Sequence, residues 1–270
     1  MPELPEVETT KRAIEPVLLG NTFHTVEVLR PNMTLFNKQF ASSLAGKTVR
    51  TVERKGKYLL LHLTDSLTLI LHLKMSGRLG LRHIDDAALT YERIRFHLHD
   101  NQVLIFNDPR TLGRATLLPT DAVMSYAALG SMGPDALTVT GQEFSDRLKK
   151  RRGILKSVLL NQSFVAGIGN IYADESCFVA GINPNRRTET LTDVERSVLH
   201  KAVIETLEKG IRNMGTSFSD FSDLFGKPGQ NQKTLFVYGR NGKPCLACGT
   251  VLSRSVVGQR GTVWCGECQI

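Results

Sequence analysis

No apolar run in this 270-residue chain approaches the ~20 residues that a helix needs to cross a bilayer. The nearest, residues 58–73, is divided by Asp65 and Ser66 into two strand-length pieces. The start, MPELPEVETT, is acidic and lacks the basic-then-apolar build of a secretory signal. No repeat of about 20–50 residues and no low-complexity tract is present, which argues against solenoids and propellers. Cysteine is scarce, with five in the chain. These absences imply a cytoplasmic protein with reduced thiols rather than a disulfide scaffold. Acids are also in deficit: 26 Asp and Glu face 34 Lys and Arg, a net charge of +8. Such a surplus suits a polyanion, and does not by itself separate nucleic acid from an anionic membrane face.

Hydrophobic residues make up 41% and charged residues 22%, as in an ordinary globular protein long enough for two modest domains. Residues 3–19 read as a helix, with Val7, Ile14, Val17 and Leu18 on one face and Gly20 as a stop. Strand-like segments follow at 22–30, 48–54, 57–64, 67–74, 93–98 and 102–106. Their alternation of apolar and polar residues predicts half-buried antiparallel strands, hence a β-sandwich with one leading helix. Residues 130–141 are rich in Gly and Pro and read as a linker. Helical patterns then occupy 143–161, broken at Gly153 after the basic run Lys149–Arg152, and 192–213. In the latter, Val194, Val198, Leu199, Ala202, Val203, Leu207 and Ile211 are assigned to one buried stripe. The polar stretch 226–233 has the composition of a mobile lid.

Four of the cysteines, Cys245, Cys248, Cys265 and Cys268, are spaced C-x2-C-x16-C-x2-C. Two such pairs close a tetrahedron around zinc, and four thiolates leave no open coordination position. The expected cofactor is therefore one structural Zn2+, with a hairpin around Gly258 between the ligand pairs. Arg254 and Arg260 lie on that hairpin, where a fixed guanidinium suits a phosphate.

The N-terminus admits two readings. Pro2, Pro5, Glu3, Glu6 and Glu8 suit the first turn of a helix, where proline fits and acids complement the dipole. Removal of Met1 would also free the Pro2 nitrogen. A secondary amine attacking a sugar carbon gives an iminium, an electron sink, and a free α-amino group has a pKa of about 7.7–8.0. Glu3 is placed to help with proton transfer.

PELPEVET, KGKYLLL (55–61), HLKMSG (72–77), NDPR (107–110), VAGIGNIYADE (165–175) and VYGR (237–240), closed by the four cysteines, resemble formamidopyrimidine-DNA glycosylase in order and over the whole chain. The resemblance implies an α+β multidomain protein. A β-sandwich catalytic domain spans 1–132, a helix–two-turns–helix domain 133–240, and a zinc finger 241–270. It implies a monomer acting on double-stranded DNA with damaged bases or abasic sites, base flipping, and base removal followed by β- and δ-elimination. It assigns Pro2 as nucleophile and Glu3 as its acid–base partner, with Glu6 in support. Lys57, Asn170 and Arg260 are assigned to backbone phosphates. Met75, Arg110 and Leu112 fill the gap left by the flipped base, with Arg110 facing the estranged cytosine. Tyr91 and Arg93 stand where the family has a His-x-His-like stretch and join the DNA-contacting set.

The chain also departs from the family pattern. DPRRFG becomes Asp108-Pro109-Arg110-Thr111-Leu112-Gly113, so leucine replaces the aromatic wedge. Met214-Gly215-Thr216-Ser217 replaces a GG[TS][TS] stretch, and Asn231 stands where a phenylalanine is usual. These changes bear on lesion preference rather than on the chemistry of Pro2 and Glu3. The alternative function is a non-catalytic or lyase-only relative with altered lesion specificity.

Overall fold

Proline and acids at the start of the chain satisfy a helix N-terminus. The computed structural model describes residues 1–35, 39–218 and 221–270. Helix α1 runs Leu4–Leu18, capped by Glu3, with the Glu6 carboxylate accepting the Glu3 amide at 2.8 Å. Its amides are thereby satisfied where a helix otherwise leaves them bare. Val7, Ile14 and Leu18 are buried, and Val17 packs beside them.

The chain divides into two compact units, Met1–Gly130 with Asn213–Gln230, and Ser131–Arg212 with Asn231–Ile270. After α1 the first unit holds β1 (Thr25–Val28), β2 (Thr34–Leu35), α2 (Phe40–Leu44), β3 (Val49–Lys55), β4 (Tyr58–Leu63), β5 (Leu67–His72), β6 (Arg78–His83), β7 (Glu92–His97), β8 (Gln102–Asn107), β9 (Arg114–Pro119) and α3 (Ala127–Gly130). One sheet has the order β1-β7-β8-β6 and the other β2-β9-β5-β4-β3. All pairings are antiparallel except β2 with β9. Leu59, Leu61, Leu69 and Leu71 of one sheet and Ile94, Phe96, Leu104 and Phe106 of the other are buried in one core with Ile14 and Leu18. This is the expected sandwich with a leading helix. Strands β2, β6 and β9 were not foreseen. β2 and β9 lack clear alternation, β6 is a short run interrupted by Gly80, and all three are fixed by partners distant in sequence, β9 lying between β2 and β5.

Residues 213–230 pack with this first unit, although sequence pattern groups them with the helices. The Thr216 amide donates to the Glu6 carboxylate at 2.8 Å, and the Leu81 amide to the Leu224 carbonyl at 3.0 Å. Residues 229–230 fold back on 213–217 and do not stand free as a lid. Gly229 donates to Ser217 Oγ at 2.9 Å, and a Cβ there would fall 2.1 Å from the Gly215 carbonyl oxygen, so only glycine fits.

The second unit contains α4 (Gly141–Lys149), α5 (Leu155–Leu160), α6 (Asn170–Val179), α7 (Asp193–Arg212), β10 (Ser253–Val257) and β11 (Arg260–Trp264). The break between α4 and α5 falls at Gly153, at φ +133°. Gln162 knits the turns joining α5 to α6: Nε2 donates to the Leu160 and Ile168 carbonyls, and Oε1 accepts the Gly167 amide, each at 2.9 Å. The buried stripe of α7 differs from the expected one. Val194 and Val198 are exposed, whereas Arg196, Thr206 and Gly210 join Leu199, Ala202, Val203, Leu207 and Ile211 inside. Gly210 lets α7 approach α6, since a Cβ would meet the Tyr172 ring at 2.6 Å. Lys156 and Asp174 form a fully buried ion pair of 2.7 Å. Lys156 Nζ also donates to the Gly261 carbonyl at 2.7 Å and Asp174 accepts the Val263 amide at 3.2 Å, so α5 and α6 both grip β11.

Candidate functional site

Hairpin β10–β11 turns through Gly258 and Gln259, both left-handed at φ 54° and 63°, as a two-residue hairpin turn requires. It stands between two knuckles. At the first, Cys245 donates its amide to the Thr250 carbonyl at 2.8 Å and accepts the Gly249 amide at 3.0 Å. At the second, the Cys265 amide donates to Gln269 Oε1 at 2.9 Å. The four Sγ atoms lie within 4.8 Å of one another, with Cys248–Cys265 at 3.4 Å and Cys245–Cys268 at 3.9 Å. A zinc–thiolate tetrahedron with bonds of ~2.3 Å has edges of about 3.8 Å, so the donor set fits one zinc ion. With thiolates at all four corners the ion holds the hairpin and offers no place to a substrate.

Pro2, Glu3 and Glu6 are buried at the head of α1. Glu6 bridges two segments, accepting the Glu3 amide with one oxygen and the Thr216 amide with the other, each at 2.8 Å. Glu8 joins α1 to the β3–β4 turn. It accepts Arg54 Nε at 2.8 Å, while Arg54 donates to the Gly56 carbonyl at 2.9 Å. Burial alone would raise the Glu8 pKa, but hydrogen bonds from Arg54 and Arg12 bring it below the usual carboxylate value. That turn carries Lys57, which is buried. The next residue, Tyr58, is paired with His72 across β4 and β5. Burial, with the charges of Lys74 and Lys57, pushes the His72 pKa down to about 3. His72 is therefore neutral at physiological pH, and its Nδ1 accepts the Lys74 amide at 2.9 Å, which leaves the proton on Nε2. His72 was not singled out from sequence; its place in HLKMSG beside the lysine-bearing turn was the available signal.

Met75 lies half-buried on the turn after β5, directly after Lys74 at φ 54°. Arg110 and Leu112 are exposed on the turn after β8, flanking Thr111 at φ 55°. Both turns meet at Asp108, another residue not foreseen, which is fully buried and accepts Ser76 Oγ at 2.5 Å and the Gly113 amide at 2.7 Å. Tyr91 is exposed, with the Arg93 guanidinium 5.6 Å from its ring centre. Arg93 is buried, and donates to the carbonyls of Asp108 at 2.8 Å and Pro109 at 3.4 Å. Its charge is spent on shaping the Arg110 turn.

In the second unit Asn170 is the first residue of α6, and its Oδ1 meets no partner among the described residues. Arg260 is exposed at the start of β11, directly after the hairpin turn. Asn231 is buried, with Nδ2 3.5 Å from the Tyr172 hydroxyl. Sequence reading also passed over Glu175. Its carboxylate is buried and accepts the amides of Phe236, Val237 and Tyr238, each at 2.8 Å, which fixes the VYGR turn. Burial raises its pKa against the pull of those three amides. Among the described residues no helix is long and apolar enough to cross a membrane.

Comparison with known proteins accounts for this arrangement along the whole chain. Residues 1–115 match the formamidopyrimidine-DNA glycosylase N-terminal domain, 131–222 its H2TH domain, and 242–270 the zinc finger found in FPG and IleRS. Formamidopyrimidine-DNA glycosylase of Desulforamulus reducens is 41% identical, with 100% of this chain and 99% of that one covered. A Lactococcus lactis FPG variant solved with Fapy-dG-containing DNA superposes with a TM-score of 0.93 at 35% identity, covering 99% of both chains. The Lactococcus lactis protein solved with abasic-site DNA gives 0.92 at 34% identity, again covering 99% of both. The chain belongs to the formamidopyrimidine-DNA glycosylase family.

Proposed function

We propose that this chain is a bifunctional DNA glycosylase and abasic-site lyase that removes oxidised purines, 8-oxoguanine and formamidopyrimidines, with the nitrogen of Pro2. Removal of Met1 turns that nitrogen from an amide into a secondary amine. The amine attacks C1′ of the damaged nucleoside, the glycosidic bond breaks, and the base leaves with a proton. The sugar ring opens to an iminium at C1′. The iminium acidifies C2′–H, so loss of that proton expels the 3′ phosphate, and a second elimination expels the 5′ phosphate. Glu3 moves the protons, and Glu6 holds Glu3 in place through its backbone amide. The carrying observation is this buried head of α1, in a chain that matches the family from end to end.

The remaining roles follow from charge and exposure. Lys57, with the neutral His72 Nε2–H beside it, serves the phosphates at the lesion. Asn170 at the head of α6 and Arg260 on the zinc-held hairpin serve the backbone elsewhere. Zinc, when bound, keeps the hairpin rigid. Met75, Arg110 and Leu112 enter the space of the extruded base, with Arg110 facing the base left opposite. Tyr91 offers an exposed ring, and Arg93 contributes by holding the Arg110 turn. The enzyme acts as a monomer on the chromosome, in the cytoplasm.

Borohydride trapping tests the reading on duplexes carrying either 8-oxoguanine or an abasic site. Protein lacking Met1 should give a covalent adduct with both. Adduct from protein shown by mass spectrometry to retain Met1 would remove Pro2 as the nucleophile. An adduct with the abasic duplex alone would leave a lyase without base excision.

A further inference from the structure

Met75 and the Arg110–Leu112 pair sit on separate turns, yet one buried carboxylate organises both. Asp108 Oδ1 accepts Ser76 Oγ, 32 residues away, at 2.5 Å, and the Arg110 amide at 3.2 Å. Its Oδ2 accepts the Gly113 amide at 2.7 Å. Ser76 Oγ also receives the Arg110 amide at 3.3 Å. The Asp108 carbonyl takes Arg93 Nε at 2.8 Å and the Thr111 amide at 3.2 Å. Every donor comes from the two turns or from the arginine beneath them. The same bonds bracket Thr111, a β-branched residue held at φ 55°, where such side chains are strained. A strained turn persists only when its surroundings over-determine it, and here the surroundings are the Asp108 carboxylate.

We infer that Asp108, acting with Ser76, is a positioning residue that locks the Met75 turn and the Arg110–Leu112 turn into one rigid unit, so that the three side chains enter a duplex together and read the base opposite the lesion. Asp108 is fully buried and touches no substrate itself. The inference rests on the role given above to Met75, Arg110 and Leu112. Loosening the lock spares the chemistry of Pro2 at a site that has already lost its base. It penalises the step in which a paired base is extruded and its partner is read.

Ser76→Ala removes the bond to the Asp108 carboxylate and the longer one from the Arg110 amide, and leaves Asp108 in place; Ser76→Thr keeps the hydroxyl. Single-turnover excision of 8-oxoguanine opposite cytosine and opposite adenine is compared with nicking of a preformed abasic site, with thermal midpoints recorded for each variant. A hydrogen bond to a charged group corresponds to roughly a tenfold or larger effect. Ser76→Ala should therefore slow excision opposite cytosine about tenfold, narrow the cytosine-over-adenine preference, and leave abasic nicking within about twofold. Ser76→Thr should restore the preference. Equal loss of excision and nicking, or an unchanged base preference, overturns the inference. Arg110→Ala is the control. If it leaves the base preference intact, the wedge reading fails and the lock fails with it. If it abolishes the preference while Ser76→Ala does not, the wedge stands and the lock is refuted.

Discussion

Replacing Lys156 by methionine should destabilise the second unit heavily, and the structure sets how heavily. Methionine keeps most of the lysine stem, so the change removes a charge and opens little cavity. Asp174 is then left fully buried, with the Val263 amide still donating to it at 3.2 Å. Burial raises the Asp174 pKa to about 7 even against the pull of Lys156. Breaking a buried pair from one side costs about 3–5 kcal/mol, or roughly two-hundred- to five-thousandfold in the ratio of folded to unfolded chain. Without the lysine the Asp174 pKa rises further, so the folded variant holds a proton that the unfolded chain releases above its ordinary carboxylate value. Its stability should therefore fall as pH rises from about 4, as the parent's does, and go on falling above about 7, where the parent's loss from this group levels off. Urea unfolding can be followed through Trp264, the single tryptophan, which lies on β11 at the gripped hairpin. The double variant Lys156→Met with Asp174→Leu should recover most of the loss, since no charge remains buried. A loss below about 1 kcal/mol, or a double variant no better than the single one, would refute the reasoning.

Chelating zinc should abolish tight DNA binding while far-ultraviolet and urea signals of the sandwich stay unchanged, because the ribbon packs within the second unit and the sandwich forms the first; coincident unfolding of both units would count against it. Arg260→Ala should weaken lesion-bearing and plain DNA alike and lower the slope of log affinity against log salt by about one, measured by fluorescence anisotropy. Stacking on a base contributes roughly 1–3 kcal/mol, most of which leucine forgoes. Leu112→Phe should therefore raise the single-turnover rate on 8-oxoguanine more than on abasic sites, and an equal change in both would dismiss the wedge as the source of preference. His72, with a pKa near 3 in the fold, stays neutral while the unfolded chain protonates below its ordinary value of 6.5. Its contribution, present above 6.5, should be lost as pH falls toward 3, by at most about 1.4 kcal/mol per pH unit. His72→Asn should flatten that slope in urea titrations at successive pH values.

Local patterns were readable where a residue's neighbours in sequence are also its neighbours in space. Helix α1, the hairpin strands β4 and β5, and the cysteine knuckles all belong to that class. Strand β9 was not readable, because its partners β2 and β5 come from far along the chain. The stripe on α7 was misjudged for a different reason. Arg196 is buried yet keeps its guanidinium bonded to Asp193 at 2.8 Å, and Gly210 is buried because Tyr172 lies against it. Neither looks apolar in a periodicity count, while Val194 and Val198 do and are exposed. The family motifs pointed to Pro2, Glu3, Glu6 and Lys57. They contained Asp108 and Glu175 without giving either a role, and passed over Gln162; the work of all three consists of accepting or donating bonds to other segments. A carboxylate that organises a turn has the same one-letter code as one that decorates a surface.

The head of α1 carries a consequence for how this protein can change. Glu3 and Glu6 start the helix, and the same carboxylates stand beside Pro2. Glu6 also fastens Thr216 from the far end of the first unit. With Pro2 in its proposed role, folding and chemistry draw on the same atoms there and cannot be selected apart. In a library of random variants, substitutions at positions 3 and 6 should be purged whether the screen scores solubility or repair. Leu112 and Arg110 are exposed and bear little of the fold, so they should drift under the first screen and be held by the second. Lesion preference is then free to diverge among relatives while the surroundings of the proposed nucleophile stay fixed.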